Sequence, residues 1–326
     1  MTRKTKWAIK NAEFILNNSD QIVHEKLDKS IANVQRRRRE LHENMLLEQV
    51  KDVFTQPLKL IPTIITRKPR ILIYDIETSY AIGKFWPERL YQVDIINNYE
   101  GVIEDYTILT IAWSWFGEGV VHVMGQDDFT DFVPGILDDR KLVSFIRDLY
   151  NEADIVIAHN GNNFDQRKCR ARMIIHNLTP PKMPIELDTK LVAKQLGGFT
   201  ANSLKALCKM LNLSFQKLDS EIEMWDGCRA GDMESWALMK QYNKGDIPTL
   251  NALYERFRPW IKNHPNLAQM FNDYDACPVC LEKNRLTHRG YKSTKVNTYR
   301  MYQCICGAWV RDRTPLKSKD KVKYVQ

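Results

Sequence analysis

Residues 158–172 read "AHNGNNFDQRKCRAR" and follow "DIVI" (154–157), an apolar run suited to a buried β-strand. The fifteen residues hold one aspartate, four basic side chains and four side-chain amides. A buried strand that ends in polar residues carries them to the carboxyl edge of its sheet, where open α/β folds place their sites. Asp165 then opens a helix, and the segment reads as strand, loop, helix.

The pattern extends in both directions. "ILIYD" (71–75) is a second short buried strand, and "ILTIAWSWFGEGVVHVM" (108–124) gives two extended runs joined by Gly-Glu-Gly, a hairpin signal. "DRKLVSFIRDLYNEA" (139–153) puts Leu142, Phe145, Ile146 and Leu149 on one helical face. Downstream, "SLKALCKMLNL" (203–213) and "MESWALMKQYNKGDIPTLNALYERFRPW" (233–260) are helical, with Pro248 expected to bend or restart the second. The order is that of an α/β fold with a mixed sheet flanked by helices. Residues 79–107, rich in aromatics, read either as a functional loop or as a surface excursion.

A chain of 326 residues holds one full catalytic domain and one or two small modules. Residues 7–50 are helical in pattern, and three prolines with a basic cluster in 56–70 mark a linker, giving expected domains at 1–65, 66–264 and 265–326. No apolar run approaches the ~20 residues of a membrane span, and no apolar stretch follows the basic N-terminus, so a cytoplasmic protein without membrane contact is expected. The first 70 residues carry 15 Lys/Arg against 8 Asp/Glu, and residues 265–326 carry 12 against 5. Each end is therefore +7, and since the whole chain is +8 the middle is −6. Basic ends around an acidic centre suit a polyanion held by the ends and metal ions held in the centre; the plain alternative is solvated surface charge. Of seven cysteines, Cys169, Cys208 and Cys228 lie singly, whereas Cys277, Cys280, Cys304 and Cys306 cluster, which favours metal binding over disulfides.

"DIET" (75–78) puts Asp75 and Glu77 two apart on a strand, hence on one face. Alone this could be a solvated strand end. Asp165, and Tyr242 with Asp246 four apart on a helix, supply companions from separate segments. Four converging carboxylates repel one another unless cations neutralise them, and oxygen ligands select hard ions such as Mg²⁺ or Mn²⁺. Asp188 is either a fifth carboxylate or the cap of the helix after it, and Asp226 and Asp232 are set aside because "MWDGCRAGDMES" (224–235) reads as loop and helix start.

Together, D-x-E in "DIET", N-x-x-x-F-D in "NGNNFD" (160–165) and Y-x-x-x-D in "YNKGD" (242–246) resemble the DEDD superfamily of 3′→5′ exonucleases, of ribonuclease H-like fold. The tyrosine marks its DEDDy branch, and the motifs look most like the proofreading exonuclease of family B DNA polymerases, over roughly residues 70–262. The resemblance implies that Asp75, Glu77 and Asp246 hold one ion, that Asp75 and Asp165 face a second, and that Tyr242 orients the attacking water. A phenol, whose ordinary pKa is about 10, suits that guiding role better than proton abstraction near pH 7. Asn160 and Asn163 would shape the loop or touch the terminal nucleotide, and Arg167, Lys168 and Arg172 would meet phosphate or simply cover a helix surface.

At the basic ends, "SDQIVHEKLDKSIANVQRRRREL" (19–41) resembles a helix-turn-helix, with Leu27 closing one helix, Ser30 capping the next, Val34 inward and Arg36 and Arg37 at phosphate. Asp28 and His24 depart from that pattern, and a plain helical hairpin is the other reading. The C-terminal "CPVC" and "CICG" fit a structural zinc ribbon on Cys277, Cys280, Cys304 and Cys306, with His288 as a substitute ligand because the second pair is C-x-C. The expected protein is a self-standing nuclease of DNA 3′ ends that yields nucleoside 5′-monophosphates and works beside replication or recombination proteins; its small composite architecture suggests a phage or mobile element in a bacterial cytoplasm. An exoribonuclease, or a non-catalytic DNA-binding tether on a nuclease fold, are the alternatives.

Overall fold

The computed structural model describes residues 26, 30, 33–35, 68–84, 101–213 and 222–316. The chain divides into two compact units, Met1–Ile64 and Ile65–Gln326. In the first, the amides of Asn33 and Val34 donate to the Ser30 carbonyl, opening a helical turn on which Val34 is buried. Arg36, Arg37 and the rest of the helix-turn-helix reading lie outside the described residues, as do residues 85–100.

The second unit runs β1 (Ile71–Thr78), β2 (Ile82–Gly83), β3 (Val102–Glu104), β4 (Ile108–Trp115), β5 (His122–Gly125), α1 (Arg140–Glu152), β6 (Ile155–Ala158), α2 (Asp165–Ile175), β7 (Ile185–Asp188), α3 (Thr189–Leu196), α4 (Leu204–Met210), α5 (Ile222–Ala230), α6 (Met233–Phe257), α7 (Leu267–Met270), β8 (Leu286–Ser293), β9 (Thr298–Cys304) and β10 (Trp309–Arg311). Five strands form a mixed sheet in the order β5-β4-β1-β6-β7. β4 pairs antiparallel with β1 and β5, while β6 is parallel to β1 and β7. The hairpin forms as its glycines imply: Gly117 and Gly119 both take the left-handed φ that the connection requires.

Alternation along β1 builds a three-layer core. Leu72, Tyr74 and Ile76 face Leu142, Ile146 and Leu149 of α1 and Cys169 and Met173 of α2. Ile71 and Ile73 face the other way, onto Val192 of α3, Leu207 of α4 and Ile247, Leu250 and Leu253 of α6. Every residue of β4 is buried, as expected of a strand covered on both faces. The structure thus shows a mixed α/β sheet between helices, together with a small antiparallel sheet, β10-β9-β8, beside the four clustered cysteines.

Two local expectations change. α6 is one helix of 25 residues with Pro248 inside it, so the proline does not restart the chain. Residues 222–230 are helical, so Asp226 lies on a helix rather than in a loop, where its carboxylate accepts from the Tyr80 hydroxyl. Asp232 is the helix start that was expected, its side chain capping the amides of Glu234 and Ser235.

Candidate active site

On β1, Asp75 and Glu77 continue the alternation of Ile71 and Ile73 and therefore belong to the face covered by α6. There α6 brings Tyr242 and Asp246, one turn apart. At the carboxyl ends of β1 and β6 a cavity of about 290 Å³ is lined by Asp75, Glu77, Asp165, Tyr242 and Asp246, with Asn160 at its side. Three separate elements of the chain, β1, α2 and α6, thus place all five residues of the motifs around one space.

Asp165 is the first residue of α2 and only 1% exposed. Its Oδ1 accepts the Ile76 amide at 3.2 Å. Burial pushes its carboxyl up to about 7, with Asp188 adding to the rise and the Ile76 amide opposing it. A carboxyl so placed either keeps its proton or meets a cation. Asp188 itself settles as a cap: it accepts from the amides of Lys190 and Leu191 at the start of α3 and from those of Asn160 and Asn162. These bonds fix the loop after β6, where Asn160 holds φ of 71°, a conformation asparagine tolerates better than most residues.

Two residues that the motifs do not flag support the cavity. Asn243 is fully buried; its Nδ2 donates to Asp75 Oδ2 at 2.8 Å, while its Oδ1 accepts from the Thr110 hydroxyl at 3.0 Å. The signal was present: Asn243 and Asp246 occupy inward positions in the Trp236, Met239, Ile247, Leu250 stripe of α6, where polar residues require a reason. His159 lines the cavity, with Nε2 3.0 Å from the Asn202 carbonyl and Nδ1 2.9 Å from the Thr189 hydroxyl. A carbonyl only accepts, so Nε2 carries the hydrogen. Burial lowers this imidazole to about 4, and it is neutral near pH 7. Phe164, Leu204 and the exposed Lys205 complete the rim.

The basic residues of α2 part company. Arg167 is exposed and lies with Asn163 along an open groove outside the cavity. Lys168 sits with its ammonium 3.5 Å from the centre of the Tyr106 ring, in a neighbouring cleft. Arg172 corrects the expectation of phosphate contact: it is buried, and its Nε and Nη2 donate to the two oxygens of fully buried Asp139 at 2.8 and 2.6 Å. With His176 also on Asp139, this guanidinium is committed to the core. Asp138, Asp139 and His176 lie close enough to hold a metal, yet Arg172 already balances Asp139.

The oxygen donors around the cavity suit a hard cation, and the cysteines suit a soft one. The ligand atoms of Cys277, Cys280, Cys304 and Cys306 all lie within 4.8 Å of one another. His288 stands apart, its ring edge-to-face with Tyr291 and Tyr302. Cys169, Cys208 and Cys228 are core residues, and burial pushes the Cys228 thiol up to about 12.

The sequence profile described as RNase_H superfamily matches residues 116–258. The chain carries an RNase H-like domain. The matched stretch includes Asp165, Tyr242 and Asp246 and begins after β1, which bears Asp75 and Glu77. The chain is similar to part of a DNA polymerase III PolC-type from Ureaplasma parvum serovar 3 (strain ATCC 700970), 20% identical over 203 residues, which are 62% of this chain and 14% of that protein. The family B DNA polymerase of the hyperthermophilic archaeon Pyrobaculum calidifontis aligns over 60% of this chain and 25% of its own, at 16% identity and a TM-score of 0.40. The chain thus spans about a seventh of the PolC-type relative. No helix among the described residues is long and apolar enough to cross a membrane.

Proposed function

We propose that this chain is a metal-dependent 3′→5′ exonuclease that hydrolyses DNA from the 3′ end to nucleoside 5′-monophosphates. The observation that carries the reading is the convergence of Asp75, Glu77, Asp165, Tyr242 and Asp246 on one cavity. Two Mg²⁺ or Mn²⁺ ions held there would supply the activated water and neutralise the leaving oxygen. Asp75, Glu77 and Asp246 would hold one, and Asp75 with Asp165 the other. Asn243 would keep Asp75 in a fixed rotamer, and the Tyr242 phenol would orient the water by hydrogen bonding. Neutral His159, anchored to Asn202 and Thr189, would hold the loop that presents Asn160 to the terminal nucleotide. Lys205, a cation at the rim, would meet a substrate phosphate; Arg167 and Asn163, along the adjacent groove, would contact the strand further on.

In the same reading, residues 66–264 are the exonuclease domain, 1–65 a basic helical module and 265–326 a module closed by a structural Zn²⁺ on the four cysteines. The partners would be DNA and the replication or recombination proteins that expose its 3′ ends, in the cytoplasm.

The test is digestion of single strands labelled at either end, as DNA and as RNA, with Mg²⁺ or Mn²⁺, beside Asp75→Ala and Asp246→Ala. Stepwise shortening from the 3′ end that both substitutions abolish is expected, faster on DNA than on RNA. A higher rate on RNA would reassign the substrate. Binding without cleavage in either metal would overturn the reading in favour of a tether.

A further inference from the structure

We infer that one face of the β8–β9–β10 sheet is a binding platform for single-stranded polynucleotide. β9 is the central strand, and alternation puts Tyr299, Met301 and Gln303 on one of its faces. Residues paired across strands share a face. Lys292 is opposite Tyr299, Arg311 is opposite Met301 and Trp309 is opposite Gln303, so these three join that face. The Arg311 guanidinium lies 4.0 Å from the Tyr299 ring centre, in agreement with this register.

Among the described residues the face is unpartnered. No residue of β8 or β10 is buried, and on β9 only Cys304 is. The Trp309 indole is 55% exposed, and Lys292 and Arg311 are exposed too. On the opposite face the His288 ring packs edge-to-face against both Tyr291 and Tyr302.

Charge chooses the occupant. Residues 286–311 contain five Lys/Arg, namely Arg289, Lys292, Lys295, Arg300 and Arg311, and no Asp or Glu. Twenty-six residues of one sign of charge favour a polyanion. An exposed indole fits unpaired bases, which present flat faces for stacking, while Arg311, two residues along β10, and Lys292, on the far strand of the same face, meet the phosphates. In a duplex those base faces are already covered. The inference takes its substrate class from the proposed function but rests on residues outside the cavity, so the two can fail separately.

The experiment measures anisotropy of a labelled 20-nucleotide oligothymidylate with the zinc-loaded full chain carrying Asp75→Ala, without added Mg²⁺, across a salt series. Adding Trp309→Ala is expected to weaken binding about tenfold, the scale of one lost base stack. Trp309→Phe should retain most of the affinity. Arg311→Ala or Lys292→Ala should each reduce the salt slope by about 0.7, as for one lost phosphate contact, and Tyr291→Ala on the opposite face should bind like its parent. With Asp75 intact, hydrolysis of a trinucleotide should be unchanged by Trp309→Ala. Equal affinity and salt slope in the Trp309, Arg311 and Lys292 variants, or no binding by the parent, would overturn the platform. Binding that depends on Trp309 with no hydrolysis by any form would uphold the platform and remove the exonuclease.

Discussion

Asn243 shows how much a single side chain can fix at an acidic cavity. Its amide sits between the Thr110 hydroxyl and the Asp75 carboxylate, so Asn243→Ala strips a hydrogen bond from each of two groups in a place where water is scarce. We expect a loss of about 1–3 kcal/mol in denaturant unfolding and a reduced affinity for Mn²⁺ by titration calorimetry, with Asn243→Asp restoring neither; unchanged metal affinity would remove Asn243 from any positioning role. Arg172→Ala should destabilise by about 3–5 kcal/mol, because fully buried Asp139 then lacks its counter-charge. The double change with Asp139→Asn should recover part of that, whereas a loss confined to DNA binding would show that the guanidinium serves the substrate after all. His159 gives a pH dependence. An unfolded histidine takes up a proton near pH 6.5, but the buried one does so only near 4. The unfolded chain therefore gains protons first, and stability falls as pH drops from about 6.5 towards 4, by up to about 3 kcal/mol. Denaturant midpoints between pH 7.5 and 5 should fall more steeply for the parent than for His159→Gln; parallel curves would refute the assignment. Carboxylate spacing made Asp75, Glu77, Tyr242 and Asp246 legible from sequence. Arg172 and Lys168 were not, since what claims them, Asp139 and Tyr106, lies 33 and 62 residues earlier and no local pattern connects them.

At the scale of elements, the hairpin, α1 and β6 were legible because each rests on local periodicity and its own turn residues. α5 was not. Residues 224–235 read as loop and helix start, yet Gly227 lies on a helix and is there for proximity: a Cβ at Gly227 would come within 2.0 Å of Ser235 Oγ and 2.6 Å of its Cβ. It lets the N-terminal turn of α6 approach α5, and so lets Cys228 pack with Trp236 and Met239. A glycine-to-alanine change in a helix ordinarily stabilises by up to about 1 kcal/mol. Gly227→Ala should instead destabilise by about 1–3 kcal/mol, the cost of overpacking. Thermal unfolding beside Gly227→Ala/Ser235→Gly, which clears the space, checks the cause. If the double variant is no more stable than the single, the crowding argument fails. Pro248 does not restart the helix, because packing of Ile247, Leu250 and Leu253 against the sheet holds it through the missing amide.

For the molecule as a whole, the five-stranded and three-stranded sheets of the second unit depend on different things. The five-stranded sheet lies between two apolar layers, whereas the core of the three-stranded sheet is four cysteines with Val279, Leu286 and Ala308. Chelation of the zinc proposed for the four cysteines should therefore open Arg289, Lys292, Arg300 and Arg311 to tryptic cleavage while residues 101–213 stay protected, as read by mass spectrometry of the fragments. Protection of the C-terminal sheet after complete metal removal would mean that its fold does not rest on the cluster. Sequence foretold a mixed α/β arrangement but not the strand order, because short apolar runs are interchangeable as neighbours and the order is set by pairings that span the chain.

Asp75 lies three residues before the end of a strand between β4 and β6, and the amide that steadies it comes 168 residues later in the chain. Contacts of such long range are slow to close. During synthesis the acidic end of β1 leaves the ribosome well before α6 exists, so the cavity has no early form and assembles only after the last of its elements has been made.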